Sequence, residues 1–202
     1  MTKTSYHHGD LRAALMQAAT AELAENGIEG FTLRSCARRA GVSHAAPAHH
    51  FGDLRGLFTA LAIEAFNRLS EAMDAETAKV ETGSIDHLVA VAFGYVTFAI
   101  VNPDLFKVMF RTQRLNTEDP ALRAAGQTAL GRAATAVGAF YGTPEPTSDP
   151  DLARQVYGLW SYAHGVASLI LEGQFGPVEN GASYARDLIP PTVRRMFSEK
   201  VS

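Results

Sequence analysis

The amino-acid sequence predicts an all-α fold, and three observations lead to that prediction. No segment alternates apolar and polar residues with the two-residue period of a half-exposed strand. Apolar residues instead recur at helical spacing, and glycines stand where such segments stop. Three capping residues also stand directly before a proline, a pattern typical of a helix start, at Asn102-Pro103, Asp119-Pro120 and Asp149-Pro150.

The first three helices follow from these start and stop signals. A first helix is predicted from residue 10 to about residue 25, where Asn26-Gly27 stops it. Thr32 caps a short second helix that ends at Gly41. Ser43, only two residues later, is predicted to cap a third short helix.

The remaining helices make up the larger part of the chain. A long helix is predicted from about residue 53 to 80, and three more begin at the proline pairs. Residues 142–150 read as one long loop. The last helix begins near residue 180. Pro190-Pro191 is predicted to kink or break it, because proline lacks an N–H group and crowds the preceding turn.

Composition indicates a folded protein without a membrane span. Hydrophobic residues make up 47% of the 202 positions, which supplies enough apolar surface for a core. A single cysteine, Cys36, cannot form an internal disulfide, and the N-terminus lacks the apolar run of a signal peptide. The most apolar stretch, residues 88–101, is too short to cross a bilayer and fits a buried helix. We therefore expect a soluble, cytoplasmic protein.

Charge is divided unevenly along the chain. Residues 1–58 carry six Lys and Arg against five Asp and Glu, together with five of the seven histidines. Residues 59–202 carry 12 basic against 16 acidic side chains. This division predicts a small anion-binding domain over residues 1–58 and a larger helical domain over residues 59–202.

The segment GVSHAAPAHHF, residues 41–51, indicates what the small domain binds. Two short helices around the turn form a helix-turn-helix, although the same spacing also suits an ordinary helical hairpin. Ala45, Ala46 and Ala48 leave a helix surface small enough to enter a DNA groove deeply. Hydrogen-bonding side chains stand at the edges of that surface, namely Ser43, His44, His49 and His50. Double-stranded DNA is therefore the expected partner of this domain.

The chain resembles the tetracycline-repressor-like (TetR) family of transcriptional regulators over roughly residues 8–58. The resemblance is carried by HGDLRAALMQAATAELAENGIEGFTLRSCARRAGVS, followed by HHF and LRGLF. It implies a homodimer whose paired three-helix heads bind a palindromic operator, and a helical body that binds an effector. The residues that it places against DNA are Thr32, Arg34, Ser43, His44 and His49.

Two positions depart from the family pattern. The family usually has a tyrosine two positions before the histidine-phenylalanine pair and a lysine three positions after it, where this chain has Ala48 and Leu54. Both family residues contact DNA phosphate, so their absence is expected to weaken the contacts that anchor the protein on the DNA backbone.

A group of large apolar side chains marks the candidate effector site, with plain core as the alternative interpretation. The group comprises Phe93, Phe98, Phe106, Met109 and Phe110. Trp160 and His164 lie one helical turn apart, and with Gly165 they resemble the Trp-His-Gly motif of one subgroup of the family. His164 is either a satisfied interior histidine, the favoured interpretation, or a polar contact to the effector. The effector itself is expected to be small and apolar.

A stripe of small residues is the candidate dimer interface. Gly158, Ser161, Gly165 and Ser168 recur at helical spacing in the helix that begins near residue 150. Small side chains permit close helix approach, which suits packing across a two-fold axis or packing within the body. Because one helix-turn-helix contacts only a few base pairs, two heads on one operator favour the dimer.

These features together predict a ligand-responsive DNA-binding regulator, a repressor released from a palindromic operator by its effector. We expect no catalytic activity, cofactor, bound metal or membrane partner. The alternative is a small metal-dependent enzyme that uses the histidines. His49 and Asp53 are four residues apart and could share a helix face, but no third ligand stands at helical spacing.

Overall fold

The computed structural model describes the backbone of residues 8–198 and the side chains from residue 11 onward. Within these residues every regular element is helical, so the prediction of an all-α fold is confirmed. The helices are α1 (His8–Gly30), α2 (Leu33–Arg39), α3 (Ala46–Phe51), α4 (Leu54–Thr77), α5 (Ile85–Val101), α6 (Pro103–Met109), α7 (Pro120–Tyr141), α8 (Pro150–Leu171) and α9 (Gly181–Met196). Short 3₁₀ turns lie at Thr112–Arg114, Pro146–Ser148 and Val178–Asn180.

The chain forms two compact units. The first unit contains the described residues up to Ala65 together with Asp104–Arg123. The second unit contains Phe66–Pro103 and the described residues from Ala124 onward. The boundary expected at residue 58 falls inside α4, and the assignment of functions to 1–58 and 59–202 stays a prediction.

Local chemistry ends α1 where the sequence predicts. Gly27 has φ 65° inside the range of α1, so the regular helix stops there and a short turn continues to Gly30. On its inner face Leu15, Ala19 and Leu23 are fully buried in the first unit. Burial of these side chains holds α1 in place, because each removes apolar surface from water.

The second helix also begins as predicted. Thr32 and Ser35 form a reciprocal capping box, in which the Ser35 N–H donates to Thr32 Oγ1 at 3.0 Å and the Thr32 N–H donates to Ser35 Oγ at 3.2 Å. Gly41 has φ 67° and turns the chain after α2. Cys36 and Ala37 are fully buried on the inner face of α2.

The third helix begins later than predicted, and the capping role expected of Ser43 is wrong. α3 starts at Ala46 after Ala45, and no side chain caps it. Pro47 gives the reason. A helix capped by Ser43 would need the N–H of residue 47 to donate to the Ser43 carbonyl, and proline has none. The Ala46 N–H donates to that carbonyl instead, at 3.0 Å, which forms a turn before the helix.

The second unit is built around α5. This helix packs against α8 and α9, and ten of its residues are buried, as expected for the most apolar stretch of the chain. Ser84 caps its start by accepting from the His87 N–H at 3.2 Å. At its end Asn102 donates from its side-chain amide to the Phe98 carbonyl at 3.1 Å, so it satisfies the end of α5. Pro103, Pro120 and Pro150 begin helices as predicted.

Among the described residues no single helix is long and apolar enough to cross a membrane. In this part of the chain α5 and α6 pass the test together, as a bent pair, by length and composition. Most of α5 is buried inside the second unit, as is typical of a core helix.

Pro190 and Pro191 do not break α9, so the expected break is wrong, while a kink at this point stays a prediction. The helix continues from Gly181 to Met196 with both prolines inside it. Ala185, Ile189 and Val193 are fully buried along one of its faces. Tyr162 Oη also donates to the Leu188 carbonyl at 2.8 Å, which ties α9 to α8 just before the prolines. Tertiary packing therefore offsets the hydrogen bonds that the two prolines cannot make.

Gly94 sets the closest approach of two helices in the second unit. A Cβ at this position would lie 2.7 Å from the Ala72 carbonyl oxygen and 2.7 Å from the Met73 Cα atom. Both obstacles are backbone atoms of α4, so a rotamer change cannot relieve the overlap. The residues of α4 that belong to the second unit can lie against α5 only because residue 94 has no side chain.

We expect Gly94→Ala to lower the free energy of unfolding by about 1–3 kcal/mol, because it overpacks this crossing. Gly131→Ala is the matched control, since a Cβ at this position in α7 meets nothing within 4 Å. That variant should be neutral or gain up to about 1 kcal/mol from better helix propensity. Urea unfolding of both variants tests the expectation, and equal effects would contradict the tight crossing.

Candidate functional site

The residues predicted to face DNA belong to the first unit, and most of them are exposed. Ser43, His44 and His49 are exposed, and His50 is half-buried beside them. Ala45 and Ala48 are exposed between these polar residues, whereas Pro47 points into the core. The outer surface of α3 therefore combines small alanines with histidine rings, as the sequence predicts. Their contact with DNA stays a prediction.

Thr32 and Arg34 lie at the start of α2, and both are exposed. The Thr32 hydroxyl takes part in the capping box with Ser35, which fixes its position. Arg34 has an exposed side chain on the first turn of the same helix. The first turn of α2 thus presents one hydroxyl and one permanent cation to solvent.

Not every cation of the first unit is available to a phosphate. Arg39 Nε donates to the buried carboxylate of Glu22 at 2.9 Å, and its Nη2 pairs with Glu25. Arg55 donates to the Gln113 carbonyl at 3.3 Å. Arg39 therefore has a structural role, because its ion pairs join α2 to α1.

The ion pair of Arg39 changes the titration of Glu22. Hydrogen bonds from Arg39 and then from Ser35 lower the pKa of Glu22 below its ordinary value of 4.5. Glu22 also accepts from the Asn26 side-chain amide at 3.0 Å. The carboxylate is therefore held in its charged form between α1 and α2, and this arrangement positions the helix-turn-helix.

In the second unit Tyr95, Trp160 and His164 form a contact group. The Tyr95 hydroxyl lies 3.0 Å from His164 Nδ1, and the rings of Tyr95 and Trp160 meet edge to face at 5.0 Å. Burial lowers the pKa of His164, which favours its neutral form, and raises the pKa of Tyr95. His164 is thus half-buried with its Nδ1 atom against the Tyr95 hydroxyl, and its contact with an effector stays a prediction. Sequence spacing could not identify Tyr95 as its partner.

The seven predicted effector residues are divided between the two units. Phe93, Phe98, Trp160 and His164 belong to the second unit, whereas Phe106, Met109 and Phe110 belong to the first. Phe98, Phe106 and Met109 are almost fully buried, and the rings of Phe106 and Phe110 pack at 5.2 Å. Neither unit by itself brings all seven around one cavity, and their role in effector binding stays a prediction.

Phe93 lines a cavity of about 210 Å³ in the second unit. The cavity lies between the end of α4, the turn that follows it, and the first half of α5. Its walls are Glu76, Lys79, Val80, Asp86, Val89, Ala90 and Phe93. The mostly apolar interior has ion pairs at its edge, between Lys79 and Glu76 and between Arg194 and Asp86. Apart from Phe93, sequence spacing did not single out these residues.

The small-residue stripe of α8 lies on an accessible face. Ser161 is exposed, and Gly158, Gly165 and Ser168 are half-buried. A Cβ on Gly165 would meet nothing within 4 Å, so no neighbouring element covers that position. Tyr157 and Leu169 stand on the same helix with 54% and 39% of their surface exposed. The face thus combines small residues with exposed apolar ones.

In the part of the chain that the structure describes, no group of three or more His, Cys, Asp or Glu side chains is placed to hold an ion. His49 and His50 instead contact each other edge to face at 5.5 Å, and His50 packs beside Phe51.

Two family models match the chain. Residues 15–61 match bacterial regulatory proteins of the tetR family, and residues 88–189 match the tetracyclin repressor-like C-terminal domain. An HTH-type transcriptional regulator of Mycobacterium tuberculosis is 24% identical over 82% of each chain. The HTH-type transcriptional repressor AcnR of Corynebacterium glutamicum is 42% identical over 30% of this chain and 32% of its own.

Solved structures share the fold over nearly the whole chain. A Rhodococcus sp. RHA1 protein of unknown function is 29% identical, with a TM-score of 0.72 over 94% of this chain and 98% of its own. The TetR family transcriptional regulator PfmR of Thermus thermophilus is 17% identical, with a TM-score of 0.59 over 94% of this chain and 97% of its own.

We expect Glu22→Gln to lower the free energy of unfolding by about 1–2 kcal/mol near pH 7, because it removes the charged partner of Arg39. A carboxylate with a lowered pKa stabilises the fold above its unfolded pKa, and this contribution is lost as pH falls through the folded pKa. The difference from the parent protein should therefore shrink below about pH 4.5.

Glu25→Gln is the control, because that exposed carboxylate pairs with the same arginine and should change stability by less than about 0.5 kcal/mol. Urea unfolding between about pH 7 and about pH 2.5, at values where the parent protein is still folded, measures both variants. A Glu22→Gln effect that is the same at every pH would show that charge pairing is not its origin.

Proposed function

The chain belongs to the TetR family of DNA-binding transcriptional regulators, and we propose that it is a repressor that leaves its operator when a small effector binds. The outer surface of α3 carries this proposal. Exposed alanines allow the helix backbone to approach base edges closely, and Ser43, His44 and His49 supply hydrogen-bonding groups around them. Thr32 and Arg34 on α2 and His50 at the end of α3 complete the proposed DNA-contacting set.

Repression is supported by the similarity to AcnR, which is named as a transcriptional repressor and is 42% identical over 60 residues. A repressor needs no further activity, since occupation of the operator is sufficient to block transcription. We propose that the chain acts by binding alone, with no catalytic step and no cofactor. Its site of action is the cytoplasm, where the operator DNA lies.

A homodimer is the proposed binding form. The accessible face of α8 supports it, because Gly158, Ser161, Gly165 and Ser168 permit close helix approach. Exposed Tyr157 and Leu169 on the same helix supply apolar area that a partner would cover. A symmetric dimer places two copies of α3 one helical turn of DNA apart, which matches a palindromic operator.

Anchoring to the DNA backbone is proposed to be weak. Ala48 and Leu54 replace the tyrosine and lysine that family members use to contact phosphate, and Arg39 is held by Glu22 and Glu25. Each lost phosphate contact reduces counterion release and with it the salt dependence of binding. Base-edge contacts then contribute a larger share of the affinity for the operator.

The effector is proposed to bind in the second unit and to be largely apolar. Phe93 supports this location, since it lines a cavity whose interior is formed by Val80, Val89 and Ala90. Lys79 and Glu76, which pair with each other, form the polar edge of this cavity. Phe98, Trp160 and His164 are the remaining proposed effector residues of this unit.

A metal-dependent enzyme is the rival function. Such an enzyme would bind zinc or iron in stoichiometric amounts, and substitution of His49 would abolish the metal binding. Metal analysis of the purified protein separates the two functions, since the repressor requires no such ion.

A mobility-shift assay with DNA from the protein's own promoter region tests the proposed function. We expect a palindromic site to be shifted, and a single half-site to bind far more weakly because only one subunit is engaged. His44→Ala and His49→Ala should each weaken binding about tenfold, as expected for a lost base contact.

Gln127→Ala is the control, because Gln127 is an exposed polar residue of α7 in the second unit. The absence of any sequence-specific shift would contradict the proposed function. Equal affinity for the half-site would contradict the dimer.

Replacement of Leu54 by Lys tests the weak anchoring. The parent dimer should show a slope of about −4 to −5 in log affinity against log salt, and Leu54→Lys should steepen it by about 2. The gain in affinity should be the same for operator and unrelated DNA, because phosphate contacts carry no sequence information. Val178→Lys adds the same charge in the second unit and controls for net charge. A parent slope near −10 would reveal a basic surface and contradict the proposal.

Phe93→Ala tests the effector site. A compound from an apolar library that releases operator DNA should act about tenfold more weakly on this variant, because it loses part of the cavity wall. Phe175→Ala is the control, since Phe175 is partly exposed and lies outside the cavity. Emission of Trp160, the single tryptophan, follows binding directly. If the compound releases operator DNA from Phe93→Ala, Phe98→Leu and His164→Gln as readily as from the parent protein, the effector binds elsewhere.

A further inference from the structure

The first unit contains a second cavity that the proposed function does not use. Its volume is about 310 Å³, and its walls are Arg12, His50, Phe51, Gly56, Thr59, Ala60, Ile63, Asn116 and Asp119. These residues come from four parts of the chain, namely α1, the end of α3, the first turns of α4, and the segment before α7. Unlike the cavity at Phe93, this one is lined largely by polar groups.

Small residues of α4 leave this space open. Residues 56, 59, 60 and 63 recur at helical spacing and form the floor of the cavity, and two of them, Gly56 and Ala60, have almost no side chain. Gly56 cannot be larger, because a Cβ there would overlap the carbonyl group of Phe51. The tight turn between α3 and α4 therefore requires the same glycine that opens the cavity.

One side of the cavity is suited to an anion. The Arg12 guanidinium lies 5.3 Å above the centre of the Phe51 ring, which holds it at the cavity wall. Within the described residues Arg12 has no carboxylate partner. His50 stands beside the same ring, at 6.3 Å between centroids, and adds a second hydrogen-bonding group. A small oxyanion could accept hydrogen bonds from both.

The other side of the cavity carries a fixed carboxylate. Asp119 Oδ1 accepts from the N–H groups of Ala121 and Leu122 at 2.8 and 3.2 Å, which locks the side chain at the start of α7. Its second oxygen receives no hydrogen bond from the described residues. The Asn116 N–H donates to Thr59 Oγ1 at 2.9 Å, so the segment that carries Asp119 is tied to α4.

We propose that this cavity binds a small hydrophilic anion that also carries a hydrogen-bond donor, such as a hydroxylated phosphate or carboxylate. The anionic group pairs with Arg12 and His50, and the hydroxyl or ammonium group donates to the free oxygen of Asp119. A phosphodiester of DNA does not satisfy this arrangement, because it offers no donor to Asp119 and is repelled by its charge.

One consequence rests on the proposed function. His50 belongs to the proposed DNA-contacting set, so an anion that engages His50 competes with the operator for it. The ligand would then weaken DNA binding from the first unit, independently of the effector in the second. Binding of the ligand is measured without DNA, so its failure is distinguishable from failure of the proposed function.

Isothermal calorimetry of the full chain at constant ionic strength, with glycerol 3-phosphate as the probe, tests the site. We expect saturable binding of one molecule per chain. Methyl phosphate, which lacks the hydroxyl groups, and glycerol, which lacks the anion, should each bind at least about tenfold more weakly. Glycerate carries a carboxylate in place of the phosphate, and comparison with glycerol 3-phosphate shows which anion the site prefers. Saturable binding of glycerol 3-phosphate or of glycerate supports the proposal.

Two substitutions test the two sides of the cavity. Arg12→Gln and Asp119→Asn should each weaken binding of glycerol 3-phosphate about tenfold. Asparagine caps a helix as well as aspartate does, so the second variant keeps the start of α7 intact. Arg186→Gln and Asp187→Asn, both at exposed positions of α9, make the same changes of charge elsewhere and should bind normally. The proposal is overturned if no saturable binding is observed, or if methyl phosphate binds as tightly as glycerol 3-phosphate. It is also overturned if Arg12→Gln or Asp119→Asn leaves the binding of glycerol 3-phosphate unchanged.

Discussion

The turn between α3 and α4 is the constraint on which the proposed DNA-binding surface depends. Its geometry requires Gly52, with φ 78°, and Gly56, where any Cβ would overlap the carbonyl group of Phe51. The Gly56 N–H also donates to Asp53 Oδ1 at 2.8 Å, which starts α4 directly after the turn. Because α3 has only six residues, it cannot fix its own orientation, and the turn must do so. The alanines and histidines of α3 thereby face outward, while Phe51 packs beneath Arg12.

Charge within the first unit is used in two different ways. Arg39 has a structural role, since Glu22 and Glu25 hold it between α1 and α2, so this cation is not available to DNA. Arg12 lies instead at the wall of a polar cavity. A regulator with few phosphate contacts depends more on the shape and hydrogen bonding of α3, and a small anion beside α3 then has a larger effect on binding. The proposed weak anchoring to DNA phosphate and the proposed anion site thus have a common cause, because the first unit offers few cations to DNA.

Aromatic side chains of the second unit lie in different surroundings. Phe98 is almost fully buried, His164 contacts the Tyr95 hydroxyl, and Phe93 lines an open cavity. Aromatic side chains supply core and cavity walls equally well, so composition does not separate the two roles. What separates them is whether a neighbouring helix fills the space beside the ring. That depends on close approaches such as the one at Gly94, where α5 meets the backbone of α4.

The sequence by itself determined the family, the all-helical fold and most helix boundaries, because these depend on residues close together in the chain. Thr32 caps α2, Gly27 and Gly41 end helices, and three prolines begin them. Local rules failed in two places. Pro47 prevented Ser43 from capping α3, because two local preferences competed there. Tertiary packing kept α9 continuous through Pro190 and Pro191, although proline usually ends a helix. Only the tertiary structure decided which polar groups meet. Arg39 and Glu22 are 17 residues apart, Thr59 and Asn116 are 57 apart, and Tyr95 and His164 are 69 apart. Such pairs form when whole helices pack, and helix packing is governed by the sum of many weak apolar contacts that no short motif encodes.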